Sequence, residues 1–320
     1  MVVSTLFDPV QVLPREAFAG QHVLTMNQYR PADLECLFEL ADRMAAALAT
    51  GTVGAPLAGK VMVSAFFDRS TRTRLAHEAA MLRLGGSVTG FADAATTRVG
   101  GDTKESVADV FQMLGMYGDV IVTRLSATGA AAEAAAALKQ AYVINGGDGT
   151  GEHPTQALTD LYTLRQVYGG IDGLRVLVVN DLRMRCVRSL LRGLRHYDCQ
   201  IHTVAAPGQD LPADLRAECG PVTTHDRLAD ALPKVDAVYS SPTVSVSREP
   251  GSELSCALDQ RTVTAAGNRR LKVFHPLPRG AELGTDLDHT RYAGYWAQAR
   301  NGIPLRMALL ALMFGCGDFQ

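Results

Sequence analysis

Short apolar, β-branched runs alternate along this chain with longer stretches of helical period, and the alternation occurs twice. It constrains the fold strongly, because parallel strands joined through helices are apolar on both faces and must be covered on both. In the first half, residues 61–67, 120–124 and 142–145 read as buried strands. Residues 71–84 read as a helix after the first strand, and the alanine-rich stretch 130–140 as a helix after the second. In the second half, 174–180, 200–205, 235–240 and 271–275 read as strands, separated by helical stretches such as 185–197. A glycine-rich segment, 146–151, stands between the two sets and is taken as the domain junction. The expected fold is α/β, with two doubly wound domains over 1–150 and 151–302, each a central, mostly parallel sheet flanked by helices. Residues 303–314 are apolar on nearly every face, so they are expected to form a buried helix, part of a C-terminal segment (about 303–320) that joins the first domain.

The composition excludes several function classes. With 31 Lys and Arg against 33 Asp and Glu the formal charge is −2, and no basic block runs for five residues, which argues against nucleic acid as a partner. No apolar stretch approaches the roughly 20 residues that span a bilayer, and the opening residues lack the pattern of a signal peptide, so no membrane partner and a cytoplasmic location are expected. The six cysteines, Cys36, Cys186, Cys199, Cys219, Cys256 and Cys316, lie far apart with no CxxC pair, and read as reduced thiols. Neither a GxGxxG after a strand nor a GxxxxGK[ST] loop occurs, which weakens a nucleotide-binding or dehydrogenase reading.

The chemistry concentrates in four places. The first strand stops in Asp68-Arg69-Ser70-Thr71-Arg72-Thr73-Arg74, where a helix begins. Free backbone N–H groups at a helix start favour an anion, Ser70, Thr71 and Thr73 add hydroxyls, and Arg72 grips two oxygens at once, so the segment reads as a phosphate site. The second place is Glu152-His153-Pro154-Thr155-Gln156, a helix start in which His153 and Gln156 face the same way. There an imidazole can donate to a carbonyl oxygen, and Gln156 can hold an amide-like NH2. Arg124 ends one strand and His275-Pro276-Leu277-Pro278-Arg279 ends another, and strand C-terminal ends are where open α/β sheets place ligands. The prolines leave the carbonyls of Leu277 and Pro278 without a ladder partner, free to accept from a substrate NH2. Taken singly, each piece also has a plainer reading as a helix cap, a surface charge or a turn.

Together, in this order, these segments resemble the aspartate/ornithine transcarbamoylase family, and the resemblance runs from about His22 to Phe314. The segments Asn145-Gly146-Gly147-Asp148-Gly149 and Asn301-Gly302-Ile303-Pro304-Leu305-Arg306 are closer to the aspartate branch, and Pro276 stands where the ornithine branch usually carries Cys. The resemblance implies carbamoyl transfer from carbamoyl phosphate to an amino group, with a carbamoyl-phosphate-binding domain followed by an acceptor-binding domain. It implies that Ser70, Thr71, Arg72, Thr73 and Arg124 bind the phosphate, that Thr73, Arg124 and His153 polarise the carbonyl, and that Gln156 and the carbonyls of Leu277 and Pro278 hold the NH2. No metal, cofactor or covalent intermediate is implied.

The acceptor side departs from the family. Arg185 matches the arginine that binds the acceptor carboxylates in the aspartate branch. Pro242, however, stands where that branch carries an arginine for the side-chain carboxylate, and Val244 where it carries a glutamine. Arg98 and Lys104 lie in the loop that, in the family, reaches into a neighbouring subunit's site, which implies a homotrimer with shared sites. Because an unpaired buried carboxylate costs several kcal/mol, an acceptor other than aspartate is expected. A true aspartate carbamoyltransferase and a carbamoyl-phosphate-binding pseudoenzyme are the alternatives.

Overall fold

The computed structural model describes residues 16–97, 105–243 and 256–316. In chain order it runs α1 (Pro31–Thr50), β1 (Val61–Phe66), α2 (Arg72–Arg83), β2 (Ser87–Phe91), α3 (Val107–Tyr117), β3 (Val120–Leu125), α4 (Ala130–Ala136), β4 (Tyr142–Asp148) and α5 (Pro154–Tyr168). It continues with β5 (Arg175–Asn180), α6 (Arg185–Leu194), β6 (Gln200–Ala205), α7 (Ala213–Cys219), β7 (Val222–Thr224), α8 (Leu228–Ala231), β8 (Ala237–Ser240), α9 (Gln260–Ala265), β9 (Lys272–Phe274) and α10 (Tyr295–Met313). The strands form two parallel sheets, ordered β2-β1-β3-β4 and β7-β6-β5-β8-β9.

The side-chain period of two along each strand decides what covers each face. In the first sheet Met62, Val120, Val122 and Ile144 face one apolar cluster, while Val63, Ala65, Ile121 and Val143 face another, under α3 and α4. In the second sheet Val176 and Val178 face the same large cluster as Met62, and Leu177, Val179 and Val238 face a third, under α8 and α9. The large cluster also takes in α1, α5, α6 and α10, so one continuous core joins the two sheets. Helix α10 packs on α1, α2 and α5 and is buried throughout residues 304–313, although Pro304 lies inside it.

Several elements depart from the sequence expectation. Helix α10 begins eight residues before position 303, since Tyr295 and Gln298 turn inward ahead of the fully apolar stretch. The β4 strand runs on through Gly146 and Gly147 to Asp148, so part of the glycine-rich segment is strand, held by a register shift between Thr123 and Leu125. The alanine-rich helix stops at Ala136.

Each sheet has one point where the winding direction reverses: between β1 and β3 in the first, and between β5 and β8 in the second. Ligands of open α/β sheets lie outside the strand ends at such reversals. Phe66 pairs in register with Arg124, so the loop after β1 opens beside the Arg124 side chain. The start of α6 after β5 carries Arg185, and the loop after β8 carries Pro242, in the same way.

Candidate active site

A hollow of about 970 Å³ opens between the two sheets. Ser70, Thr71, Arg72, Thr73, Arg124, His153, Gln156, Arg185, Pro242, Leu277 and Pro278 all line it. Val244, Arg98 and Lys104 lie outside the described residues.

The start of α2 supplies the hydroxyl cluster. Thr71 is the N-cap, yet no side chain there caps the helix, so an ordinary cap does not account for these residues. Ser70 Oγ is buried and has no hydrogen-bond partner among the described residues. An orphaned buried hydroxyl beside free helix N–H groups suits an acceptor-rich ligand.

Arg124 reaches in from the end of β3. Its Nε donates to the carbonyl of Gly146 (2.9 Å) and its Nη2 to Thr73 Oγ1 (3.0 Å). The same Nη2 lies 3.2 Å from His153 Nε2, and Thr73 Oγ1 is 3.1 Å from that nitrogen. A guanidinium only donates, so Nε2 carries the lone pair and the ring proton sits on Nδ1. Burial, and then the nearby Arg185, push Arg124 down to about 10, with Arg72 adding to the effect and only Asp68 opposing it. Three guanidinium groups thus share a concave wall with little acidic compensation, which favours an anion.

His153 is fixed from behind. It is the N-cap of α5, with Pro154 at the first helical position, and its backbone N–H donates to Ser189 Oγ on α6 (2.9 Å). Ser189 donates in turn to Glu152 (2.9 Å), which also accepts from Arg192 (2.6 Å), the Met26 N–H (3.0 Å) and the Thr25 hydroxyl. Burial first, then Arg124 and Arg185, hold the His153 imidazole well below the ordinary histidine value, so it is neutral at pH 7.

Arg185 opens α6 and donates to the carbonyl of Gly149 (3.0 Å). Gly147, at φ 116°, makes room for it: a Cβ there would lie 2.9 Å from Arg185 Nε and 3.4 Å from Arg124 Nε. Cys186, beside Arg185, is buried and its thiol is pushed up to about 12 by that burial, so it is no nucleophile at neutral pH.

Sequence reasoning did not single out Asp160, Gln298 and Arg306. All three are buried around the hollow's floor, which Gln298 and Arg306 line. A signal existed for Asp160, four residues after Gln156 on one helix face.

Two family models match the chain: the aspartate/ornithine carbamoyltransferase carbamoyl-P binding domain over residues 21–166, and the Asp/Orn binding domain of the same family over residues 172–313. The chain belongs to the aspartate/ornithine carbamoyltransferase family. It is therefore a carbamoyltransferase by descent, and several relatives are catalytic subunits of aspartate carbamoyltransferases. The aspartate carbamoyltransferase catalytic subunit of Picrophilus torridus is 35% identical over 300 residues, covering 92% of this chain and 98% of that protein. The corresponding subunit of Thermococcus kodakarensis is 37% identical over 306 residues, covering 92% and 97%. Among solved structures, the Trypanosoma cruzi aspartate transcarbamoylase in complex with carbamoyl phosphate and aspartate superposes with a TM-score of 0.86 at 30% identity, covering 93% of this chain and 96% of that one.

Proposed function

We propose that this carbamoyltransferase transfers the carbamoyl group of carbamoyl phosphate to the amino group of aspartate. The orphaned Ser70 hydroxyl beside the Arg72, Arg124 and Arg185 wall carries the donor half of this reading. The phosphate sits against Ser70, Thr71, Arg72, Thr73 and Arg124. The carbonyl oxygen turns toward Thr73 and Arg124, and His153 joins them once its ring carries the proton on Nε2. Gln156 and the carbonyls of Leu277 and Pro278 accept from the NH2.

The amine nitrogen attacks the carbonyl carbon, forming the N–C bond, and negative charge develops on the oxygen. Preorganised donors aimed at that oxygen supply about 3 kcal/mol each. The C–O bond to phosphate then breaks, and the amine's proton leaves with the departing phosphate. Holding both substrates in one hollow supplies the remaining acceleration by positioning. In this reading residues 1–150 with the C-terminal helix bind the donor and 151–302 the acceptor, and the loop carrying Arg98 and Lys104 completes a neighbour's site in a homotrimer.

The relatives favour aspartate, because the related subunits carry that name and the solved relative holds it. One observation favours a second reading, an acceptor without a side-chain carboxylate: Pro242 lines the hollow, and proline offers nothing to pair with a carboxylate. Steady-state formation of ureido product from carbamoyl phosphate decides between them. Saturation with aspartate at millimolar levels supports the first; turnover only with other amino acids in a panel supports the second. Binding of carbamoyl phosphate without product from any amine overturns both.

A further inference from the structure

Beneath the pocket floor a single carboxylate oxygen organises two amides. Gln156 Nε2 donates to Asp160 Oδ1 at 2.7 Å, and Gln298 Nε2 donates to the same atom at 2.6 Å. Asp160 is 2% exposed and its other oxygen has no hydrogen-bond partner among the described residues. The three residues come from different places: Gln156 and Asp160 from successive turns of α5, Gln298 from the first turns of α10.

An amide has one donor end and one acceptor end, and the acceptor Oδ1 leaves no choice about which end of each glutamine faces it. With its NH2 turned to Asp160, Gln156 presents its Oε1 away from Asp160, on the side of the hollow it lines. With its NH2 turned the same way, Gln298 must offer its Oε1 elsewhere, and that oxygen accepts from the backbone N–H of His275 at 2.8 Å. His275 opens the segment that brings Leu277 and Pro278 to the pocket wall. A second strut supports this segment from the other side: His275 Nε2 lies 3.0 Å from Glu282 Oε1, and His275 Nδ1 accepts from the Leu277 N–H at 2.8 Å. One atom of Asp160 thus bears on both sets of acceptors proposed for the carbamoyl NH2, directly through Gln156 and, alongside the Glu282 strut, indirectly through Gln298.

We infer that Asp160 is the positioning residue that makes this site select a donor bearing an NH2 group, by fixing the amide polarity of Gln156 and, through Gln298, the backbone of residues 275–278. The inference rests on the carbamoyl-phosphate reading above. An apolar side chain at 160 would free Gln156 to turn its own NH2 toward the substrate NH2, replacing an attraction with a clash of donors. A buried carboxylate is costly, and the two amide donors on its shared oxygen, with Arg306 nearby, offset part of that cost.

The test uses two donors of the same shape. Acetyl phosphate keeps the phosphate and the carbonyl and replaces NH2 with CH3, so it reports everything except the acceptors for that NH2. The full-length enzyme and its Asp160→Leu variant are compared by kcat/KM for carbamoyl phosphate and by competitive inhibition with acetyl phosphate and with inorganic phosphate. The expected result is a loss of about 100-fold in kcat/KM for carbamoyl phosphate with little change for the other two ligands, and recovery of most of the activity in Asp160→Asn, whose amide oxygen still accepts. A uniform loss for all three ligands, or an unchanged preference, overturns the inference. If Asp160→Leu does not fold, Gln298→Met serves: it leaves Gln156 held and releases His275, and should raise KM for carbamoyl phosphate without altering phosphate inhibition. An equal shift in both overturns the proposal. A wild-type enzyme that makes no ureido product and binds neither donor overturns the functional reading itself, a result distinguishable from the other two.

Discussion

Arg124 Nη2 and Thr73 Oγ1 stand 3.0 Å apart at the one place where the first sheet reverses its winding, and His153 closes the triangle from α5. The three groups satisfy one another, so a substrate oxygen can replace the Arg124 and Thr73 contacts directly, whereas His153 donates to it only after its proton moves from Nδ1 to Nε2. Arg124→Met should lower kcat/KM by about 100- to 1,000-fold, as removal of an oxyanion donor does elsewhere. Steady-state kinetics at saturating acceptor checks this, and a loss below tenfold contradicts it.

Gly147 carries two arginines on its open face. Gly147→Ala would put a Cβ 2.9 Å from Arg185 Nε at a backbone φ of 116°, which strains an alanine by about 1–3 kcal/mol. Arg185 is the closer neighbour, so the variant should raise the KM for the acceptor more than that for carbamoyl phosphate. Paired KM measurements test the asymmetry.

Glu152 ties Arg192 and Ser189 of α6 to the turn at Met26. Glu152→Ala removes the carboxylate and leaves the half-buried Arg192 with Glu218 (2.7 Å) as its remaining ion-pair partner among the described residues. Losing a charge-assisted hydrogen bond of this kind costs about 1.5–3 kcal/mol, to be read as a lowered urea midpoint. The His153 backbone loses its support through Ser189 in the same variant, so activity should fall even where the protein remains folded.

Acid should destabilise the fold through His77 and His153. Burial, with Arg306 next for His77 and Arg124 next for His153, holds both well below the ordinary value. Unfolded, each takes up a proton near pH 6.5; folded, each stays neutral, so the unfolded state binds more protons and stability falls as pH drops below about 6.5. Asp160, raised to about 7 by burial, acts in the opposite sense between about pH 4 and 7, because the folded state then keeps a proton that the unfolded chain releases. Two protons against one leave a net slope of about 1.4 kcal/mol per pH unit from these three groups. His77→Gln should reduce the slope of unfolding free energy between pH 6.5 and 5.5 by about one proton, and an unchanged slope contradicts the assignment.

The fold was largely legible because short β-branched runs such as 174–180 and 200–205, bounded by turn residues, suit a buried strand and little else, and β5 and β6 occupy Arg175–Asn180 and Gln200–Ala205. The helix start after β1 was legible from its crowding of hydroxyls, and His153 from the proline that follows it. Less visible were β2 and β7, whose partly exposed, mixed residues carry no clear alternation, and the early start of α10. Asp160 and Gln298 were illegible as a pair, since 138 positions separate residues that meet only after α10 folds back across α5. No local period records such a contact. The acceptor side was legible only as a departure, Pro242, and the position of Val244 lies outside the described residues.

On the proposed function, the start of α2 and Arg124 form a cradle for a small phosphorylated donor. Calorimetric titration of carbamoyl phosphate into the wild-type protein and into Arg124→Met, with no acceptor present, tests it most directly. Saturable one-site binding in the wild type that is weakened at least tenfold in the variant is the predicted result, as a charge-assisted contact to phosphate requires. Equal binding by the two proteins, or none by the wild type, would contradict it.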